Sequence, residues 1–67
     1  MAKITVNGKA AEINLPCRLA DWLRQFGWKP TQVVVELNSE VIPRSQLKNV
    51  EISDGDRLEI IIPVAGG

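Results

Sequence analysis

Apolar and polar residues alternate along Lys3-Ile4-Thr5-Val6-Asn7 and again along Ala11-Glu12-Ile13-Asn14-Leu15. Each run predicts a half-buried strand. Asn7-Gly8 between them is a strong hairpin signal. A two-residue turn pairs Ile4 with Ala11. A four-residue loop, Asn7 to Ala10, pairs Val6 with Ala11 and Ile4 with Ile13, and its apolar matches favour it. In both registers Ile4, Val6, Ile13 and Leu15 share one face.

Pro16 closes the second strand. The spacing then changes. Leu19, Trp22, Leu23 and Phe26 fall at i, i+3, i+4 and i+7, one stripe of a short helix, with Trp22 and Phe26 expected in the core. Asp21 in the first turn and Arg24 near the end suit the macrodipole. Gly27 fits the position just past the helix, and Pro30 prevents its resumption. Neither Cys17 nor Arg18 is a favoured N-cap, so the start is weakly marked. The helix is expected to lie across the apolar face of the hairpin.

Alternation returns at Gln32-Val33-Val34-Val35-Glu36-Leu37. It turns Val33, Val35 and Leu37 inward and Val34 and Glu36 outward. A turn at Asn38-Ser39-Glu40 leads into Val41-Ile42, and Pro43 to Leu47 predicts one helical turn with Pro43 near its start. Val50-Glu51-Ile52 is a short extended piece, and Asp54-Gly55-Asp56 is turn chemistry. The last strand, Arg57 to Ile62, directs Leu58, Ile60 and Ile62 inward and Glu59 and Ile61 outward. The pattern as a whole predicts an α+β roll, one helix packed on a mixed sheet of four to five strands.

Composition narrows what such a roll can do. Sixty-seven residues, 45% of them hydrophobic, make one domain with one core and no deep substrate cavity. Eight basic and eight acidic residues cancel, so no electrostatic footprint for nucleic acid or an anionic membrane exists. No histidine is present, which removes the commonest general base and metal ligand. The carboxylates show no metal-site pattern, and no phosphate-binding glycine motif occurs, so neither metal nor cofactor is expected. With one cysteine and neither a secretory signal nor a transmembrane run, the expected location is the cytosol.

The final residues stand apart. Pro63 has no N–H to donate to a ladder. Val64, Ala65, Gly66 and Gly67 follow it and end in a carboxylate. Two glycines there have no packing use, but a strand of chain without Cβ atoms fits a narrow active site of another protein. Residues 1–63 are therefore expected to form the domain and 64–67 a flexible tail. A frayed end with no role is the plain alternative.

The segment Val34-Val35-Glu36-Leu37-Asn38-Ser39-Glu40-Val41-Ile42-Pro43-Arg44-Ser45-Gln46 resembles the middle of the thiamine-biosynthesis sulfur-carrier proteins, the ThiS family. So do Asp54-Gly55-Asp56-Arg57-Leu58-Glu59-Ile60 and the closing Ala65-Gly66-Gly67. The Asn-x-Glu-x-x-Pro-Arg pattern and the terminal glycines are the most specific parts. The resemblance implies a β-grasp, ubiquitin-like fold and a carrier that is not itself an enzyme. A ubiquitin-activating-type, ThiF-like adenylyltransferase would convert the Gly67 carboxylate to an acyl-adenylate. A persulfide protein fed by a cysteine desulfurase would supply sulfur, leaving a Gly67 thiocarboxylate for a ThiG-like thiazole synthase. Val64, Ala65 and Gly66 would thread the tail into each active site.

Docking must then come from the folded body. Val34 and Ile61 point away from the helix and are candidate neighbours on a partner surface, with Arg57 a candidate for steering an acidic rim. Cys17 is not expected to accept sulfur: it lies far from the tail, with only Arg18 nearby to activate it. The ending Pro63-Val64-Ala65-Gly66-Gly67 also resembles the MoaD-like small subunit of molybdopterin synthase. A carrier for molybdopterin or tRNA thiolation, a ubiquitin-like modifier and a plain interaction module stay open as alternatives.

Overall fold

The computed structural model describes residues 1–63; the tail residues Val64, Ala65, Gly66 and Gly67 lie outside the described residues. Five strands form one mixed sheet: β1 Ala2–Val6, β2 Lys9–Ile13, β3 Val34–Leu37, β4 Glu40–Ile42 and β5 Arg57–Ile61. Their spatial order is β2-β1-β5-β3-β4. The one α-helix among the described residues, α1, Leu19–Gln25, packs on one face, as the β-grasp expectation requires. The first and last strands lie side by side and parallel at the centre, with Thr5 opposite Arg57 and Val6 opposite Leu58.

The first hairpin takes the shorter of the two registers. Ile4 pairs with Ala11 and Val6 with Lys9, so the four-residue loop is ruled out. The reason is local. Asn7 (φ 49) and Gly8 (φ 82) are both left-handed, the backbone of a two-residue primed turn whose twist matches the strands. Turn geometry outweighs the better apolar matches of the longer loop. Ala2 now faces Ile13, and no β1 residue remains to pair with Leu15. Leu15 is 41% exposed instead of sharing the apolar face.

Helix α1 starts without a side-chain cap at Arg18. Its first N–H groups are satisfied by distant backbone: Leu19 donates to the Val50 carbonyl at 2.9 Å and Ala20 to that of Leu47 at 3.1 Å. The extended piece at Val50-Glu51-Ile52 therefore acts as the cap, and Ile52 N–H donates to the Cys17 carbonyl at 2.9 Å. At the other end Gly27 (φ 78) donates to Arg24 and Trp28 to Leu23, the double bond of a Schellman stop. That stop carries the chain out of the helix one residue after Phe26. Leu19, Trp22 and Leu23 are buried, but Phe26 is 59% exposed, contrary to its place in the stripe. It covers Trp22, ring centroids 4.9 Å apart, and Trp28 meets Trp22 edge-on at 6.3 Å.

Beyond the helix, a 3₁₀ turn at Pro30–Gln32 precedes β3, and a second at Arg44–Gln46 follows β4. Val33, Val35, Leu58 and Ile60 are buried as the alternation requires, with Leu47 and Ile52 closing the core beside the helix start. Strand β5 stops at Ile61, opposite Val34 at the beginning of β3. Ile62 thus has no ladder partner and is 58% exposed, not inward.

Candidate functional site

The candidate site is the outer face of the sheet together with the end of β5. Outward parity places Val34 and Glu36 of β3, Val41 of β4, and Arg57, Glu59 and Ile61 of β5 on the face away from α1. Val34 stands directly opposite Ile61, and Glu36 has Val41 on one side and Glu59 on the other. Two carboxylates directly opposite each other repel, a small cost to the sheet. Val41 and Ile61 are exposed and Val34 half-buried, so apolar residues of β4, β3 and β5 share this face, with the acidic pair beside them.

Arg57 shares this face but sits at the other end of β5, four residues from Ile61, roughly 13 Å along an extended strand. Its guanidinium donates to Ser39 Oγ. Its backbone N–H donates to Asn38 Oδ1 at 2.9 Å, and Asn38 N–H donates to the Arg57 carbonyl at 2.8 Å. Asn38 Nδ2 also reaches Asp56 Oδ1 at 3.1 Å. Val34 and Ile61 are brought together; Arg57 is held apart from them by a turn network.

The tail residues assigned by sequence, Val64 to Gly67, are not described, but the strand end that carries them is. Ile60 N–H donates to Asn7 Oδ1 at 2.8 Å, and Asn7 N–H to the Leu58 carbonyl at 2.9 Å. Past Ile61, Ile62 and Pro63 line an open, mainly apolar groove of about 480 Å³ with Trp28, Thr31, Gln32 and Val33. Asn7 and Val41 carry weight here that sequence reasoning missed. Val41 had a usable signal, outward parity beside Glu36. Asn7 reads only as a turn residue until the parallel neighbour of β1 is known.

Cys17 lies remote from this region, buried beside Pro16, Arg18, Asp21 and Glu51. Burial, and secondarily the Asp21 carboxylate, push its thiol pKa up, opposite to what a sulfur nucleophile needs. Its Sγ leans on the Arg18 carbonyl at 3.6 Å. Among the described residues no group of three or more histidines, cysteines or acids is placed to hold a metal ion, and no helix is long and apolar enough to cross a membrane.

Comparison with known proteins places this geometry. The family model described as "ThiS family" matches residues 4–67. Thiazole synthase from Paramagnetospirillum magneticum is 32% identical over 65 residues, 97% of this chain. The chain spans only 20% of that protein's length. The ycf40 protein of Pyropia yezoensis is 31% identical over 64 residues, covering 96% of this chain and 90% of its own. The crystal structure of the thiamine biosynthesis protein ThiS from Geobacter metallireducens superposes with a TM-score of 0.83 at 29% identity, over 97% of this chain and 99% of that one. A solution structure of a thiamine biosynthesis protein from the same organism gives 0.79 over 97% and 87%. A family match over nearly the whole sequence, together with a ThiS structure that superposes over 97% of the chain, leaves one assignment: the chain belongs to the ThiS family.

Proposed function

We propose that the protein is a sulfur carrier for thiazole formation in thiamine biosynthesis and that the carboxylate of Gly67 is its working group. The observation that carries this reading is the family match, which runs through the closing glycines to residue 67. The pathway draws support from the thiazole synthase that contains, in a fifth of its length, a segment like this chain. That relationship favours thiazole over molybdopterin chemistry.

The chemistry follows from the poor electrophilicity of a carboxylate. An adenylyltransferase of the ubiquitin-activating type joins the Gly67 carboxylate to AMP and releases pyrophosphate. The terminal sulfur of a persulfide protein attacks the activated carbonyl carbon, and AMP leaves with the C–O bonding pair. A thiol cleaves the remaining S–S bond, and Gly67 keeps one sulfur as a thiocarboxylate. Thiazole synthase then takes that sulfur. The folded body supplies binding energy, because a chain end of two glycines has little grip of its own. The outer sheet face around Val34 and Ile61 is the docking surface in this reading, with Arg57 at its far margin.

The test is selective partnership. The thiocarboxylate form, mixed with thiazole synthase or with the large subunit of molybdopterin synthase, is expected to bind the first and to support thiazole formation. Selective binding to the second overturns the pathway.

A further inference from the structure

Parallel strands β1 and β5 share only two register pairs before β1 reverses at Asn7-Gly8. A parallel ladder continued by one step needs Ile60 N–H to meet the backbone carbonyl of Asn7. At φ 49 the Asn7 backbone has already turned away, and its side-chain Oδ1 takes the carbonyl's place at 2.8 Å. Nδ2 completes the imitation toward the Ile60 carbonyl at 3.5 Å. The side chain therefore extends the sheet where the main chain cannot. Asn38 makes an equivalent bond from the opposite hairpin, at φ 53, to Arg57 at the start of the same strand. Two left-handed turn asparagines thus clamp β5, one at each end.

We propose that Asn7 is a positioning residue for the C-terminal carboxylate. It fixes the end of β5, which presents Ile61 to the outer face and leads into the tail that begins three residues later, at Val64. This inference rests on the reading of Gly67 as the reacting group. Without the Asn7 bond the end of β5 is held only by its pairing with β3, so its last residues fray more readily. The tether from docked body to carboxylate lengthens in the frayed state, and the effective concentration of the carboxylate falls. Asn38 holds the opposite end of β5, at Arg57, and so leaves the Ile61 end untouched, which makes it the internal control.

Asn7→Gly and Asn38→Gly each keep the left-handed backbone and delete only the amide. Adenylation is measured in single turnover at saturating activating enzyme, so that docking is not limiting. Asn7→Gly is expected to slow the step on the order of tenfold. Asn38→Gly is expected to stay within about twofold even where it lowers stability equally, and Asn7→Asp, which keeps the acceptor for Ile60, to retain most of the rate. An unchanged rate in Asn7→Gly, or an equal loss in Asn38→Gly, overturns the proposal. Amide hydrogen exchange on the unaltered protein gives a measurement independent of folding of the variants. Ile60 is expected to be protected like the strand interior; exchange as fast as a fully exposed amide overturns the proposal. No adenylate from the unaltered protein instead removes the functional reading on which the proposal stands.

Discussion

Val34 of β3 and Ile61 of β5 stand directly opposite each other in antiparallel register, on the sheet face turned from the helix, and Ile61 is 43% exposed. Neighbouring positions Val35 and Ile60 point the other way and are buried. Half-buried Val34 and exposed Ile61, on the face away from the core, therefore add little to it that their neighbours do not already supply. Their place beside the tail-bearing end of β5 suits a docking contact. Ile61→Asp and Val34→Asp are expected to weaken binding to the activating enzyme about tenfold or more, since an apolar anchor is lost and a charge is desolvated. The free energy of unfolding should change little, by about 0.5 kcal/mol at most for the exposed Ile61. Titration calorimetry paired with urea unfolding checks both halves. Unchanged affinity for the enzyme would move the docking surface elsewhere.

The helix stripe divides into structural and peripheral members. Leu23 is fully buried and Phe26 lies just past the last helical turn, mostly in solvent. Leu23→Ala is expected to cost about 2–5 kcal/mol, the sum of lost transfer energy and a cavity. Phe26→Ala should cost about 1 kcal/mol, chiefly its contact with Trp22. Urea denaturation of the two variants separates them; equal losses would show that Phe26 belongs to the core.

The roll itself was legible from the sequence because the periods are clean. Alternation gave the inward set Ile4, Ile13, Val33, Val35, Leu58 and Ile60, and Gly27 marked the helix stop. Three positions at element ends were not legible. Leu15, Phe26 and Ile62 each continue a correct period past the point where a tertiary partner exists. Period reports which face a residue would occupy, not whether the neighbouring strand or helix turn reaches that far. The hairpin register failed for a related reason: apolar matching favoured a longer loop, whereas the left-handed Asn7-Gly8 backbone set the shorter one. At the site, the Val34–Ile61 neighbourhood followed from parity. The Asn7–Ile60 bond did not, because it depends on β1 and β5 being adjacent, fifty-three residues apart in sequence.

Cys17 provides a negative prediction. Its thiol is buried, and burial followed by the Asp21 charge raises its pKa. A raised value keeps the proton on sulfur at neutral pH, so thiolate appears only as the pH climbs beyond the usual cysteine range. Alkylation by iodoacetamide is expected to be slower than for a free cysteine at pH 7 and to accelerate with rising pH. Cys17→Ser should form thiocarboxylate at the unaltered rate. Rapid alkylation at pH 7 together with lost sulfur loading would make Cys17 a participant.

Narrowness of the tail gives a further expectation. Gly66→Val adds a branched side chain where the sequence has none. Folding should be untouched, while adenylation falls steeply through steric exclusion from the enzyme's channel. Circular dichroism and pyrophosphate release measured on the same sample distinguish these effects. Normal pyrophosphate release from this variant would contradict threading.

Intact mass spectrometry after incubation with the activating enzyme, ATP and a persulfide sulfur source tests the central claim most directly. The account predicts a product in which one oxygen of Gly67 has been replaced by sulfur, absent from a sample whose terminal carboxylate is blocked as an amide. An unchanged mass for the free-acid protein, or sulfur gained equally by the amide, would contradict it.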